Sequence, residues 1–345
     1  MQRLPAFTAD LGGRDDPEPR VSEMKRSFRA VPFCVVLGVG LSCCSLAAER
    51  VGDSSRAITV GGLRRTFLIH PPHPQKQATR LPLLIVLHGA GSNGEGMVKL
   101  TLGEFDSMSD KEGFIVVYPD GVDKHWNDAR PADEAQDRAH EDNIDDVGFI
   151  SALIDTMVEK ENVDPRRVYV TGISNGAIMS FRLACELSNK ITAIAPVDGN
   201  IPVNEPTQCS SQQPVSVLIT NGTKDPLVHW EGGEVTGPFG FKKLGKLLST
   251  TETVQFWVRH DRCKAPPDST IEPDSDPDDG TRVTRTEYGG GNARTSVVLY
   301  TIVGGGHTWP GGRQYLPAWI VGRTCRDIDA CKTIWDFFRT KARQQ

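Results

Sequence analysis

The spacing in this chain best suited to chemistry is Gly172-Ile173-Ser174-Asn175-Gly176, a serine with a glycine two residues away on either side. A β-branched run precedes it and a helix-like run follows. Such a sharp strand-to-helix turn holds a serine in a strained backbone state with its hydroxyl exposed. Gly172 and Gly176 remove side chains that would collide as strand and helix pack. The helix N-terminus then favours negative charge developing beside the serine. A hydroxyl still needs a base. Downstream, Asp225 stands in the turn Gly222-Thr223-Lys224-Asp225-Pro226, and His307 follows Gly304-Gly305-Gly306. Nucleophile, acid, then base is the chain order of one arrangement for acyl transfer, in which the acid fixes the imidazole tautomer. An oxyanion needs donors too. His88-Gly89-Ala90-Gly91-Ser92 follows an apolar run, so the backbone amides of Ala90 and Asn175 are expected to supply them. Loss of one such donor typically costs about 2.7–4 kcal/mol.

Other titratable residues compete less well. Asp198 follows an apolar run and is an alternative acid, but that strand usually precedes the acid-bearing one. His229 lies too close to Asp225 to be the base and is left as a pocket residue; His260 ends an amphipathic stretch. His70, His73, His125 and His140 sit in polar or turn contexts without metal-ligand spacing. Asp274-x-Asp276-x-Asp278-Asp279-Gly280 opens like a calcium loop, yet its glycine comes one residue late and Arg285 stands where a glutamate belongs. A solvated acidic loop over 264–280 is the better reading. No metal or organic cofactor is implied.

These groups must be positioned by strands and helices. Apolar runs at 65–70, 83–88, 114–118, 168–171, 191–196, 215–220 and 297–303 read as strands, several of them buried on two faces. Helical periodicity predicts helices over 145–161, 176–187, 241–260 and 329–341. Alternation of the two predicts a mainly parallel central sheet flanked by helices on both faces, and the Ser174 elbow followed in order by Asp225 and His307 makes the expected architecture an α/β-hydrolase fold. Repeats and dividing linkers are absent, so 49–345 is expected to be a single catalytic domain.

The chain has 345 residues, 38% hydrophobic and 24% charged, with a formal net charge of −5 and no basic stripe, which argues against nucleic-acid binding. Residues 1–48 read as an extension and a secretory signal, with translation starting at Met24: Lys25, Arg26 and Arg29 precede an uncharged stretch ending in small residues. Membrane anchoring is opposed by Pro32, Gly38 and Gly40, and lipidation at Cys43 or Cys44 is the second choice to a free secreted or periplasmic protein. No membrane span is expected in the mature form. Of eight cysteines, Cys185, Cys209, Cys263, Cys325 and Cys331 lie beyond the signal, an odd number that leaves at least one thiol unpaired within the chain. The oligomeric state is not legible.

With these residues assembled, the chain resembles the polyhydroxybutyrate depolymerase-like esterases, a group that takes in feruloyl and acetylxylan esterases. The resemblance rests on Leu87-His88-Gly89, Tyr118-Pro119-Asp120-Gly121, Trp126-Asn127-Asp128, Asp145-Asp146-Val147-Gly148-Phe149, Asp164-Pro165-Arg166-Arg167-Val168-Tyr169, the Ser174 elbow, the Asp225 loop and Gly306-His307-Thr308-Trp309-Pro310-Gly311. It implies the same roles for Ser174, Asp225 and His307. It also implies that Trp126 and Trp309 are pocket or framework residues near the histidine, with buried aromatic packing an equal alternative, and that Cys185 and Cys209 form a disulfide. Ala90 stands where many relatives carry cysteine, and glycines after Tyr288 replace the partner of Cys263. Cys325 and Cys331 are left to pair with each other, or one of them with Cys263. The implied activity is hydrolysis of hydroxyalkanoate oligomers or plant-wall esters by an exported serine esterase. No appended polymer-binding module is expected, which favours soluble substrates. An exported peptidase of the same fold and a non-catalytic binding protein are the alternatives.

Overall fold

Runs of Val, Ile and Leu bounded by glycine and proline become strands here because helices cover both of their faces. The structure, a computed structural model, describes residues 54–73, 80–205, 209, 211, 213–238, 243–264 and 266–343. The leader and start-site expectations for 1–48 lie outside the described residues. The first described elements are β1 (Ser54–Val60), β2 (Leu63–His70) and β3 (Leu81–Leu87). Helices α1 (Gly94–Leu100) and α2 (Glu104–Glu112) lead to β4 (Ile115–Pro119). The short helices α3 (Ala132–Ala135) and α4 (Arg138–Glu141) precede α5 (Asp146–Lys160), β5 (Val163–Ile173) and α6 (Asn175–Glu186). Next come β6 (Ala193–Val197), β7 (Ser216–Gly222), β8 (Gly233–Thr236), β9 (Lys243–Leu247) and α7 (Thr250–His260). The C-terminal part holds β10 (Asp268–Ile271), β11 (Arg282–Tyr288), β12 (Val297–Val303), α8 (Ala318–Val321) and α9 (Ala330–Phe338).

Ten strands form one sheet in the order β1-β2-β4-β3-β5-β6-β7-β12-β11-β10. From β4 to β12 every pairing is parallel, and antiparallel pairs close both edges. The α/β-hydrolase fold expected from the sequence is the observed one. Strand β3 shows why the sheet is buried twice: Leu83, Ile85 and Leu87 enter one core, Leu84 and Val86 the other, as strand alternation requires. The first core is closed by α5 through Phe149, Leu153 and Met157 and by α7 through Trp257. The second is closed by α1 and α2 through Met97 and Phe105 and by α9 through Ile334 and Phe338. No described helix is long and apolar enough to cross a membrane.

The helix expected over 241–260 is a correction. Only Thr250–His260 is helical, started by a capping box between Ser249 and Glu252, while Lys243–Leu247 pairs with β8 as a strand. Gly245, at φ +93°, disfavours a helix there. The acidic 264–280 segment is exposed and contributes edge strand β10. Its carboxylates are engaged by arginines and amides: Arg282 meets Asp274 at 2.6 Å and Asp276 accepts from the Asp278 amide.

Cys185 and Cys209 form the disulfide that the resemblance implied. The further pairing left open for Cys263, Cys325 and Cys331 does not occur; all three are free. They belong to separate apolar clusters, Cys263 against the α7 side, Cys331 on α9 and Cys325 beside Val283 and Ile302, so none faces another.

Candidate active site

Because the central strands are parallel, β3, β5, β7 and β12 bring their C-terminal ends to one edge of the sheet, where ligands of such folds bind. Ser174 lies between β5 and α6 with φ 58° and ψ −123°, a left-handed backbone state that costs a non-glycine residue about 1–3 kcal/mol. The turn is fixed by the Ser174 amide on Val197 O at 3.0 Å. Gly176 is required by contact: a Cβ there would lie 2.6 Å from the carbonyl oxygens of both Leu87 and His88.

A histidine–carboxylate pair is built on the far side of the site. Asp225, in the turn after β7, has one carboxylate oxygen held by the amides of Leu227 and Val228 at 2.7 and 2.9 Å. Its other oxygen lies 2.7 Å from His307 Nδ1, and both residues are buried. Burial opposes the imidazolium, but the charge and hydrogen bond of Asp225, helped by Asp198, outweigh it and hold the His307 pKa above its ordinary 6.5. Asp198 is close by, since one ligand atom from each of Asp198, Asp225 and His307 falls within a 4.8 Å group. The Asp198 oxygens accept from the amides of Gly222 at 3.1 Å and Thr308 at 2.7 Å. Burial first, and the Asp225 charge second, push its pKa well above the usual carboxylate range. Amides and the imidazole thus occupy these carboxylates, leaving no donor set that calls for a cation. Backbone packing locks the pair of loops: a Cβ on Gly306 would lie 2.2 Å from Val321 O.

Ala90, Ser174, Asn175 and His307 line one cavity of about 400 Å³, within the range of small-ligand sites. Asp225 stands behind His307 rather than in the wall. Apolar side chains, Met97, Leu100, Ile178, Leu227 and Leu244, supply most of the remaining surface. Beneath Asn175 lies a network of charges. The Asn175 side chain donates to Trp126 O at 2.9 Å and Asp128 Oδ2 at 2.6 Å, and its oxygen accepts from the Trp126 amide. Asp128 also pairs with Arg130 at 2.7 Å and His140 at 2.9 Å. Burial favours neutral Asp128, but Arg130 and His140 overcome it and hold its pKa below the usual carboxylate range. Burial likewise opposes charge on His140, yet Asp128 and Asp137 raise its pKa to about 9.

Comparison with known proteins gives these groups a context. Residues 71–263 match the phospholipase/carboxylesterase family model. NocK of Nocardia uniformis subsp. tsuyamanensis, assigned as an esterase, is 32% identical over 82% of this chain and 82% of its own length. The chain belongs to the phospholipase/carboxylesterase family. Within that family it is an esterase of the α/β-hydrolase type. Feruloyl esterase D of Neurospora crassa is 25% identical over 81% of this chain and 83% of its own. An acetyl xylan esterase from Aspergillus awamori shares the fold, with a TM-score of 0.50, 17% identity and coverage of 74% of this chain and 94% of that one. With a poly(3-hydroxyalkanoate) depolymerase also among the relatives, the resemblance read from the motifs holds.

Three residues expected at the pocket of this carboxylesterase-family protein do not line the cavity. Trp126 is fully buried, with Nε1 donating to His88 O at 2.9 Å, and so backs the loop that carries Ala90. Trp309 is buried against Phe105 in the second core, the aromatic packing that was its alternative role. His229 is exposed. His88 itself is neutral, since burial drives its pKa to about 4, and its Nε2 accepts from the Gly121 amide. The sequence reading missed Arg130, which lines the cavity, and Tyr315, which lines it while donating to His307 O at 3.0 Å. Trp126-Asn127-Asp128 was the available signal for the Arg130 network, noticed as a motif but not as an anchor for Asn175.

Proposed function

We propose that this protein is an exported serine carboxylic-ester hydrolase that works through an acyl-enzyme. The observation that carries the reading is the 2.7 Å His307–Asp225 contact at a cavity that also exposes Ser174 and the Ala90 and Asn175 segments. His307 Nε2 removes the Ser174 proton as the hydroxyl attacks the ester carbonyl, and the amides of Ala90 and Asn175 take the oxyanion. The imidazolium then protonates the departing alcohol. In the second half-reaction His307 activates water, the acid is released, and Asp225 keeps Nδ1 protonated throughout.

Hydroxyalkanoate oligomers and plant-wall feruloyl or acetyl esters are the proposed substrates, in keeping with the names of the relatives. Export is supported by the basic-then-apolar text after Met24 and by the Cys185–Cys209 disulfide, a bond that persists in oxidising compartments. Residues 1–48 then form the extension and signal, and 49–345 the catalytic domain. Ser174→Ala should lower turnover of 4-nitrophenyl butyrate by at least about 10⁴-fold while far-ultraviolet circular dichroism stays unchanged. Fluorophosphonate labelling should disappear with it. Unaltered turnover in a folded variant removes Ser174 from the mechanism.

A further inference from the structure

Among the described residues lining the cavity, Arg130 is the only one with a permanent charge. It is buried and clamped. Nε and Nη2 donate to the Asp128 carboxylate at 2.9 and 2.7 Å, and Nη1 donates to Leu244 O on β9. Its aliphatic stem lies on Gly245, where a Cβ would come within 3.1 Å of Arg130 Cδ. A guanidinium has five N–H groups, and these bonds engage three of them. A donor left over in an apolar wall is costly unless an acceptor meets it. The side chain is pre-set in one orientation, so little rotamer freedom is lost when a ligand arrives.

The charges around it decide what kind of acceptor suits. Arg130 pairs with Asp128, Asp128 with His140, and His140 with Asp137. Two cations and two anions leave the group without net charge, which gives a free carboxylate no advantage and suits a neutral oxygen. Position decides which part of the ester it meets. The Asp128 oxygen that clamps Arg130 Nη2 also accepts from Asn175 Nδ2, so the guanidinium is tied to the residue after Ser174, where the acyl group is attached.

We propose that Arg130 is an acyl-specificity residue, donating to a neutral oxygen on the acyl chain: a hydroxyl, an ether or a second ester carbonyl. Hydroxyacyl and methoxyaryl groups carry such an oxygen, and acetyl does not. The inference rests on the hydrolase function proposed above.

The test compares 4-nitrophenyl 3-hydroxybutyrate with 4-nitrophenyl butyrate on the full-length protein, each rate divided by that of hydroxide-catalysed hydrolysis. The wild type should favour the hydroxyacyl ester in kcat/KM by about tenfold to a hundredfold, as fits a hydrogen bond from a charged donor. Arg130→Met should slow both esters and bring their ratio close to one. Arg130→Lys, which keeps a charged donor, should retain part of it. A wild-type ratio near one overturns the assignment without any variant, and so does a folded Arg130→Met that keeps the full ratio. Absence of both turnover and fluorophosphonate labelling overturns the hydrolase function instead, so the two failures are distinct.

Discussion

The two shoulders of the cavity are held by different means. On the nucleophile side, Asn175 is tied to a chain of charged side chains, Asp128, Arg130, His140 and Asp137, carried by the loop and short helices between β4 and α5. On the base side, Asp225 and Asp198 are held by main-chain amides, and glycine backbones pack directly on one another. The first arrangement depends on ionisation and has a pH range. The second depends on backbone geometry, and few side-chain changes reach it.

The largest expected effect falls on the base side. Asp225→Asn should reduce kcat by about 10⁴-fold, because an amide cannot hold the productive tautomer of His307. The same variant tests the electrostatics. As the proposed base, His307 works only when neutral, and its pKa is raised, so the wild-type acid limb of kcat/KM should lie above pH 6.5. Removing the Asp225 charge should move that limb down. A limb that stays in place breaks the link between the two residues.

Asp128→Asn attacks the other shoulder. It leaves Arg130 buried without its carboxylate and His140 with Asp137 alone, a loss of about 3–5 kcal/mol of stability by analogy with other buried pairs. Chemical denaturation would measure it. Activity should fall as well, since Asn175 loses an anchor beside the nucleophile. Equal stability of variant and wild type would show that the network is not what holds this side.

A smaller effect follows from pH alone. The folded-state pKa of His140 is raised from 6.5 to about 9. Its contribution to stability is therefore complete below pH 6.5 and is lost as pH rises through about 9. Melting temperatures at pH 6, 8 and 10 should decline across that window, and His140→Gln should flatten the decline. Asp198, whose pKa burial raises well above the usual carboxylate range, adds a decline of the same sign, so the difference between wild type and His140→Gln isolates the His140 part.

The smallest effect belongs to Asp198 itself. Asp198→Asn keeps the size of the side chain and sacrifices one amide contact, so kcat should change by about tenfold or less, roughly the worth of one hydrogen bond. A loss matching that of Asp225→Asn would make Asp198 an equal partner of His307 and overturn the contrast between the two acids.

Legibility in the sequence followed the same division. Ser174, Asp225 and His307 stand directly after apolar strands, and strand ends are fixed by local text. The glycines around them were readable because backbone contact forbids a Cβ. Arg130 was not readable, because its burial is decided by β9, more than a hundred residues later. Strand β9 was itself taken for helix. Leu244, Leu247 and Leu248 satisfy a helical period, and only pairing with β8 chooses the other state. Helices α1 and α2 went unread because each is short, and much of each is polar or glycine. For Trp126 and Trp309 the sequence left pocket lining and buried packing open, and the structure takes the second, since sequence proximity to a loop says nothing of which face a ring fills.

The β8–β9 pair stands outside the ten-stranded sheet and still contributes Val235, Thr236 and Leu244 to the cavity. It is also tied to the acid turn, since Thr236 donates through its amide to Leu227 O and through its hydroxyl to Pro226 O, so any change in the ribbon that reshapes the chamber reaches the segment whose amides hold Asp225.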